Sequence, residues 1–300
     1  MFYALSNSTK YRLFETTKGA RELYGIIRSG NDVTFRELVN HIETEYTELL
    51  KKCSFEANDI YFVRFYVSDI ANQKDELTGS VFFKELQGCS AVSIIEQPPL
   101  GQTNLGLLVK GIKAETISST MLTAANEWSS TCKVAGRHYQ QFWSANLIGE
   151  ADFDSYSQTN KIFEDYTTFL EENRMSLYSN CHRTWIYVRD IDNHYQGMVD
   201  SRREFFEKHN MTAETHFIAS TGIEARVKNV RNLVSMDALA VKGLETPQIE
   251  YMQALDHLNP THEYGVTFER GTKISFGDRE HFHISATPHC HFVLFCRIVP

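Results

Sequence analysis

The chain lacks any apolar run near the ~20 residues a membrane-spanning helix needs, and it has no N-terminal charged-then-apolar leader. Cys-x-x-Cys pairs are missing too. Its six cysteines, Cys53, Cys89, Cys132, Cys181, Cys290 and Cys296, are scattered, which points to reduced thiols and a soluble cytoplasmic protein. There is no cationic excess: the formal charge is −8, and a general phosphate-backbone binder needs Lys and Arg to replace condensed counterions. A local basic patch stays open. Proline is scarce, six residues in 300, against 42% hydrophobic and 23% charged residues, the composition of an ordinary globular chain long enough for two domains or more. The expectation is no nucleic-acid partner, no membrane and no cofactor.

What the chain does have is a repeat. The segment Arg183–His209, RTWIYVRDIDNHYQGMVDSRREFFEKH, has an earlier copy in Phe62–Leu86, FVRFYVSDIANQKDELTGSVFFKEL, with Asp69 and Asp190 lying 121 residues apart. In the first copy, Lys10–Glu15 and Leu23–Arg28 read as a hairpin. Phe35, Leu38, Ile42, Tyr46, Leu49 and Leu50 mark one face of a helix capped by Asp32 or Thr34. Ile60–Val67 is a strand, Leu77–Leu86 a shorter helix, and Ala91–Ile95 and Leu105–Ile112 are strands on either side of the Pro98–Gly101 break. The order is ββαβαββ, an α+β unit over residues 1–115.

A second unit over 116–247 follows a linker at Ala114–Met121. It has a hairpin at Thr131–Val134 and His138–Ile148, a helix marked by Ile162, Tyr166, Phe169 and Leu170, a strand at Thr184–Val188, a helix from Tyr195 to His209 and a closing strand in Val234–Leu244. Val241-Lys242-Gly243 echoes Val109-Lys110-Gly111. A third unit begins within 260–285, with segments Val266–Gly271, Lys273–Phe276 and Glu280–Ser285, and does not reach its helices. The tail 286–300, ATPHCHFVLFCRIVP, carries no unit pattern and looks foreign to the rest of the design.

Units of this length, with a strand ending in Asp-Ile and a helix holding a Phe-Phe pair, resemble the RidA (YjgF) superfamily. Arg183–Ile191, the Arg202-Arg203 helix and Ala219-Ser220-Thr221-Gly222-Ile223 are similar to FkbO-like chorismatases. The resemblance implies tandem RidA-like (chorismate-mutase-like) modules, each a mixed sheet backed by two helices. Its N-terminal part corresponds to the chorismatase-like N-terminal domain. It also implies hydrolysis of chorismate to pyruvate plus a hydroxybenzoate or dihydroxycyclohexadiene carboxylate. RidA proteins assemble as trimers, so three modules in one chain imply an intramolecular pseudo-trimer or a homo-oligomer.

RidA enzymes hold the substrate carboxylate with an arginine before the strand after the second helix, a bidentate contact that alanine cannot copy. Cys89 and Ala219 stand at the matching positions, so imine or enamine deamination is disfavoured. Chorismatase chemistry needs a general acid and cationic groups for two carboxylates. In the family that acid is a glutamate late in the last module, beyond Pro300, so this form is expected to be inactive and its catalytic residues are not identified. The candidates for binding a small, chorismate-like carboxylate are Arg137, Arg183, Arg202 and Arg203, with Tyr139, Trp143 and Tyr187 as pocket walls.

Blander roles compete. Arg202-Arg203 also suits a solvated helix face, and Trp185 and Tyr187 also suit a core. His281–His283 and His289–His291 have chelating spacing, yet the hairpin needs no metal, and none is expected. A non-catalytic binding or assembly protein on the RidA fold is the alternative function. An endoribonuclease role is disfavoured by the acidic charge.

Overall fold

The computed structural model describes residues 2–30, 33–98, 103–122, 128–228, 230–253, 256, 258–259 and 261–285, and the backbone of 294–298. It divides into two compact units: Met1–Arg137 with Trp143–Asn146 and Ala225–Val230, and His138–Phe142 with Leu147–Glu224 and Arg231–Pro300.

The chain opens with β1 (Tyr3–Ala4), β2 (Thr9–Glu15), β3 (Arg21–Arg28), α1 (Phe35–Cys53), β4 (Ile60–Val67), α2 (Ile70–Gly79), α3 (Val81–Cys89), β5 (Ala91–Glu96) and β6 (Leu105–Lys113). Their sheet runs β1-β2-β3-β6-β4-β5. Only β4 and β5 are parallel, because a helical crossover joins them. Helix α1 begins at a reciprocal cap: Glu37 N–H donates to Thr34 Oγ1 and Thr34 N–H to Glu37 Oε2 at 2.8 Å. Asp32, the other cap candidate, lies outside the described residues. Leu38, Ile42, Tyr46, Leu49 and Cys53 then form one buried stripe, packed on Leu23, Val63, Phe65, Val92 and Val109 of the sheet. The second helix is two helices. Ser80 ends α2 and caps α3, its Oγ accepting from Phe83 N–H at 3.1 Å.

The next elements are β7 (Ser118–Leu122), β8 (Ser130–Ala135), β9 (Gln140–Ile148), α4 (Ser155–Glu172), α5 (Leu177–Asn180), β10 (Cys181–Val188), α6 (Ile191–Lys208), β11 (Ala219–Glu224) and β12 (Val234–Lys242). Their sheet, β7-β8-β9-β12-β10-β11, repeats the first strand for strand, with β10 and β11 parallel. The duplication reaches single residues. The β4–β6 ladder slips between Ile60 and Phe62, and the β10–β12 ladder slips between Cys181 and Arg183, the same step 121 residues on. Helices α4 and α6 pack through Phe163, whose ring lies 5.5 Å from both Phe205 and Phe206. At Gly197 of α6 a Cβ would collide with Ser155 Oγ, so glycine sets how closely the helices approach.

A third, antiparallel sheet runs β13 (Ile249–Met252), β14 (Gly271–Ser275), β15 (Arg279–Ile284) and β16 (Leu294–Ile298). Several expectations change. The segment read as a linker contains β7, which pairs Ser118–Leu122 with Thr131–Ala135. Residues 266–270 are not a strand, and the first strand of the third sheet is β13 instead. Part of the tail pairs in register as β16, Arg279 opposite Ile298 and His283 opposite Leu294, in the place that β6 and β12 hold next to their hairpins. The Val-Lys-Gly echo is three residues out of step: Gly111 pairs with Ile60, and Ala240 pairs with the equivalent Cys181. The Pro98–Gly101 break lies mostly outside the described residues.

The open edge of β5 is closed by side chains. Asn146, at φ 54°, accepts from Ile94 N–H at 3.0 Å and donates to Val92 O at 2.8 Å, and Ser130 Oγ accepts from Val92 N–H at 3.0 Å. At β11, Glu269 plays a comparable part. It accepts from Phe217 N–H at 2.9 Å, and its own N–H donates to Ile218 O at 3.1 Å.

Candidate functional site

Alternation along β10 sends Arg183, Trp185 and Tyr187 to one face of the sheet and Thr184, Ile186 and Val188 to the other. The second face carries α6: Met198 and Tyr195 of that helix lie 3.4 Å from where a Cβ on Gly222 would sit, and Gly222 is paired with Ile186. Arg202 projects from α6 onto this face, so Arg183 and Arg202 lie on opposite sides of one strand. The structure does not bring them together.

Arg183 is buried, and its guanidinium ties strands together. Nη1 donates to Thr184 O at 2.6 Å and Ala219 O at 3.2 Å, while Nη2 donates to Thr221 Oγ1 at 2.5 Å and Ile284 O at 3.2 Å. Its Cζ stands 4.6 Å over the Trp185 ring. Four of the five donors of an arginine are thus directed at the chain's own acceptors. Ala219, read as the position where RidA enzymes carry their arginine, is paired with Arg183 in register. In the first sheet the partner of the equivalent Phe62 is Ala91, so Cys89 and Ala219 are not matching positions. Tyr187 is buried on the same face, with its hydroxyl 3.5 Å from Asp237 Oδ2.

The other nominated residues separate. Arg137 is exposed in the turn before β9. Trp143 is buried in the first unit, 5.2 Å from the Tyr61 ring and 5.3 Å from Phe62, with Lys110 Nζ 4.3 Å over its face. Arg202 is 2% exposed, and burial lowers its pKa to about 10. Arg203 alone fits the solvated-face reading, pairing with Asp200 at 2.7 Å.

Tyr139 meets Arg279 and Phe276. Its hydroxyl accepts from Arg279 Nη2 at 2.6 Å, and Arg279 Nη1 donates to Asp278 Oδ1 at 2.8 Å. The Arg279 guanidinium sits 4.9 Å from the Phe276 ring and 5.6 Å from the Tyr139 ring, which lie 4.5 Å apart. Arg279 is 1% exposed. On β15, Arg279, His281 and His283 alternate on one buried face, His281 edge-on to Phe276 at 4.9 Å and 5.9 Å from the His283 ring. A guanidinium beside a pair of aromatic rings, with a phenol and imidazoles on its own face, is chemistry for an anion. The signal was present in the sequence: a buried strand whose inward positions are Arg, His and His instead of apolar residues. Among the described residues no group of side chains has the arrangement of a metal site, and His289–His291 lies outside them.

A second buried imidazole pair lies where β10 begins. His182 is wholly buried, neither ring nitrogen has a hydrogen-bond partner, and burial first and His216 second push its pKa down to about 3. The His216 ring stacks on Tyr251 at 3.8 Å, 9° from parallel, and lies 4.4 Å from Tyr178. Burial lowers its pKa as well. Cys181 beside them is pushed up to about 12 by burial, so it is an inert thiol.

No family model matches the sequence, and neither does any curated protein. Solved structures do match. A crystal structure of chorismatase is similar at 10% identity with a TM-score of 0.57, over 79% of this chain and 78% of that one. Single-module structures are similar over shorter stretches. A YjgF-family protein from Neisseria meningitidis shows 17% identity and a TM-score of 0.35 over 43% of this chain and 98% of its own. A YjgF-family member from Mycobacterium tuberculosis shows 22% and 0.33 over 41% and 98%. The likeness to chorismatase shows the fold, an α+β arrangement of tandem RidA-type modules, as the residues of β4 and β10 had implied. Among the described residues no helix is long and apolar enough to cross a membrane.

Proposed function

We propose that this chain, which shares the fold of chorismatase, binds a small carboxylate of the chorismate type, with Arg279 and Tyr139 as its anion-recognising pair. The observation that carries the reading is the buried Arg279 guanidinium, set beside the Tyr139 and Phe276 rings and hydrogen-bonded to the Tyr139 hydroxyl at 2.6 Å. A guanidinium hydrogen-bonded to a phenol is the chemistry that recognises a carboxylate, and the rings beside it suit an unsaturated six-membered carbon frame. Arg183, with four donors directed at its own strands, is a positioning residue in this reading. It ties the β10–β11 face to the end of β15 through Ile284 O at 3.2 Å.

Binding is proposed ahead of turnover. Hydrolysis of an enolpyruvyl ether needs a general acid able to give a proton to carbon, a carboxylic acid in the family this chain resembles. The carboxylate in this group, Asp278, is engaged as the counter-ion of Arg279 at 2.8 Å. Melting temperature with chorismate, 3-hydroxybenzoate and 2-oxoacids tests the reading, because a ligand that binds the native state stabilises it by mass action. A saturable rise with chorismate that disappears in Arg279→Met supports it, and no rise with any of these acids removes it. Pyruvate release from chorismate, followed in parallel, decides between binding and turnover.

A further inference from the structure

Arg202 presents a different problem, on the helix-covered face of the second sheet. Its side chain is 2% exposed, and no carboxylate pairs with it among the described residues. Nη1 donates to Ser220 Oγ at 3.3 Å, and Nε has no partner. Ser220 Oγ also accepts from Thr184 Oγ1 at 2.9 Å, so the serine hydroxyl takes two hydrogen bonds and retains its own proton to give. Donors therefore outnumber acceptors around a buried positive charge. Burial takes the guanidinium pKa down only to about 10, so it stays charged at neutral pH. A buried charge without a counter-charge is expensive, and an anion would remove that cost.

The duplicated module is an internal control. Thr184 and Ser220 are paired across β10 and β11, and the equivalent pair across β4 and β5 is Val63 and Val92, both core residues. Aligning the two Phe-Phe pairs, Phe82-Phe83 with Phe205-Phe206, places Gly79 where the second module has Arg202. The fold is thus built once with no polar atom at these three side chains and once with a guanidinium and two hydroxyls. Packing alone does not call for the polar set.

We infer that Arg202, Ser220 and Thr184 form a binding site for a small monovalent anion of the halide class, buried between α6 and the β10–β11 pair. Arg202 supplies charge and directed N–H groups, Ser220 supplies its hydroxyl proton, and Thr184 fixes the serine rotamer. The site lies on the opposite face of β10 from Arg183 and is independent of the carboxylate site proposed above.

The test is thermal unfolding of the full chain at constant ionic strength while sodium gluconate is replaced by sodium chloride or bromide, with bromide anomalous scattering from crystals as the second measurement. The wild type is expected to melt higher in halide, saturably, with a bromide peak within hydrogen-bond reach of the Arg202 guanidinium. Arg202→Met should lose the halide response, and Ser220→Ala, which keeps the charge and the fold, should move the midpoint to about tenfold higher halide, the effect of one hydrogen bond to a charged group. Equal melting in gluconate and halide, an unchanged halide response in either variant, or density for water alone beside Arg202 would overturn the inference.

Discussion

At the scale of single residues, His182 is a buried imidazole with no hydrogen-bond partner, and its pKa, lowered to about 3, makes folding depend on pH. The unfolded imidazole takes a proton near pH 6.5 and the folded one only near 3, so its contribution is complete above 6.5 and is lost as pH falls. Below pH 6.5 the loss approaches about 1.4 kcal/mol per pH unit for this histidine, and above about pH 5.5 few unfolded carboxylates titrate alongside it. Urea unfolding over that range should therefore show a steeper fall for the wild type than for His182→Leu, which is close to it in volume and cannot be charged. Parallel curves would place the pH dependence elsewhere. Arg202 and Arg183 teach the matching lesson about prediction. Both were read as site residues from their types and spacing, but strand alternation puts them on opposite faces of β10, and sequence spacing does not give the burial of α6.

At the scale of elements, the closed edge of β5 rests on Asn146. Replacing it with Ala leaves Ile94 N–H and Val92 O without their partners in a buried setting, which should cost about 2–6 kcal/mol at ~1–3 kcal/mol per orphaned group. Denaturant unfolding measures the loss, and faster hydrogen exchange at the Ile94 amide locates it. Gly197→Ala should cost about 1–3 kcal/mol, because the added methyl meets Ser155 of α4 and the helices must separate. A neutral result would mean that the α4–α6 contact yields easily. Elements with strong periodicity were legible in the sequence. Strand β4 begins and ends where its β-branched and aromatic run does, and α1 starts at its Thr34 cap. The break at Ser80 was not legible, because a serine within a helical pattern reads as a tolerated residue until its hydroxyl is seen capping α3. Strand β7 was missed because Ser118-Ser119-Thr120 has no apolar alternation and takes its structure from pairing with β8.

At the scale of the whole molecule, the repeat was the strongest signal in the sequence. The two sheets share strand order and even the position of a ladder slip, which a 121-residue offset had anticipated. The third sheet was half legible. Its hairpin was expected, while β13 and β16 were not, since neither short strand carries a pattern apart from its neighbours. The Arg279–Tyr139 pair joins residues 140 positions apart, a distance no local motif spans. Its alternation with His281 and His283 was the available clue. The central claim is that this pair recognises a small carboxylate. Isothermal titration of chorismate into the wild type and Arg279→Met tests it most directly. Saturable one-site binding that weakens at least tenfold in the variant, for the loss of ~1.5–3 kcal/mol of charge-assisted hydrogen bonding, is the predicted result. Equal affinity in both proteins, or no heat of binding in a folded wild type, would contradict it.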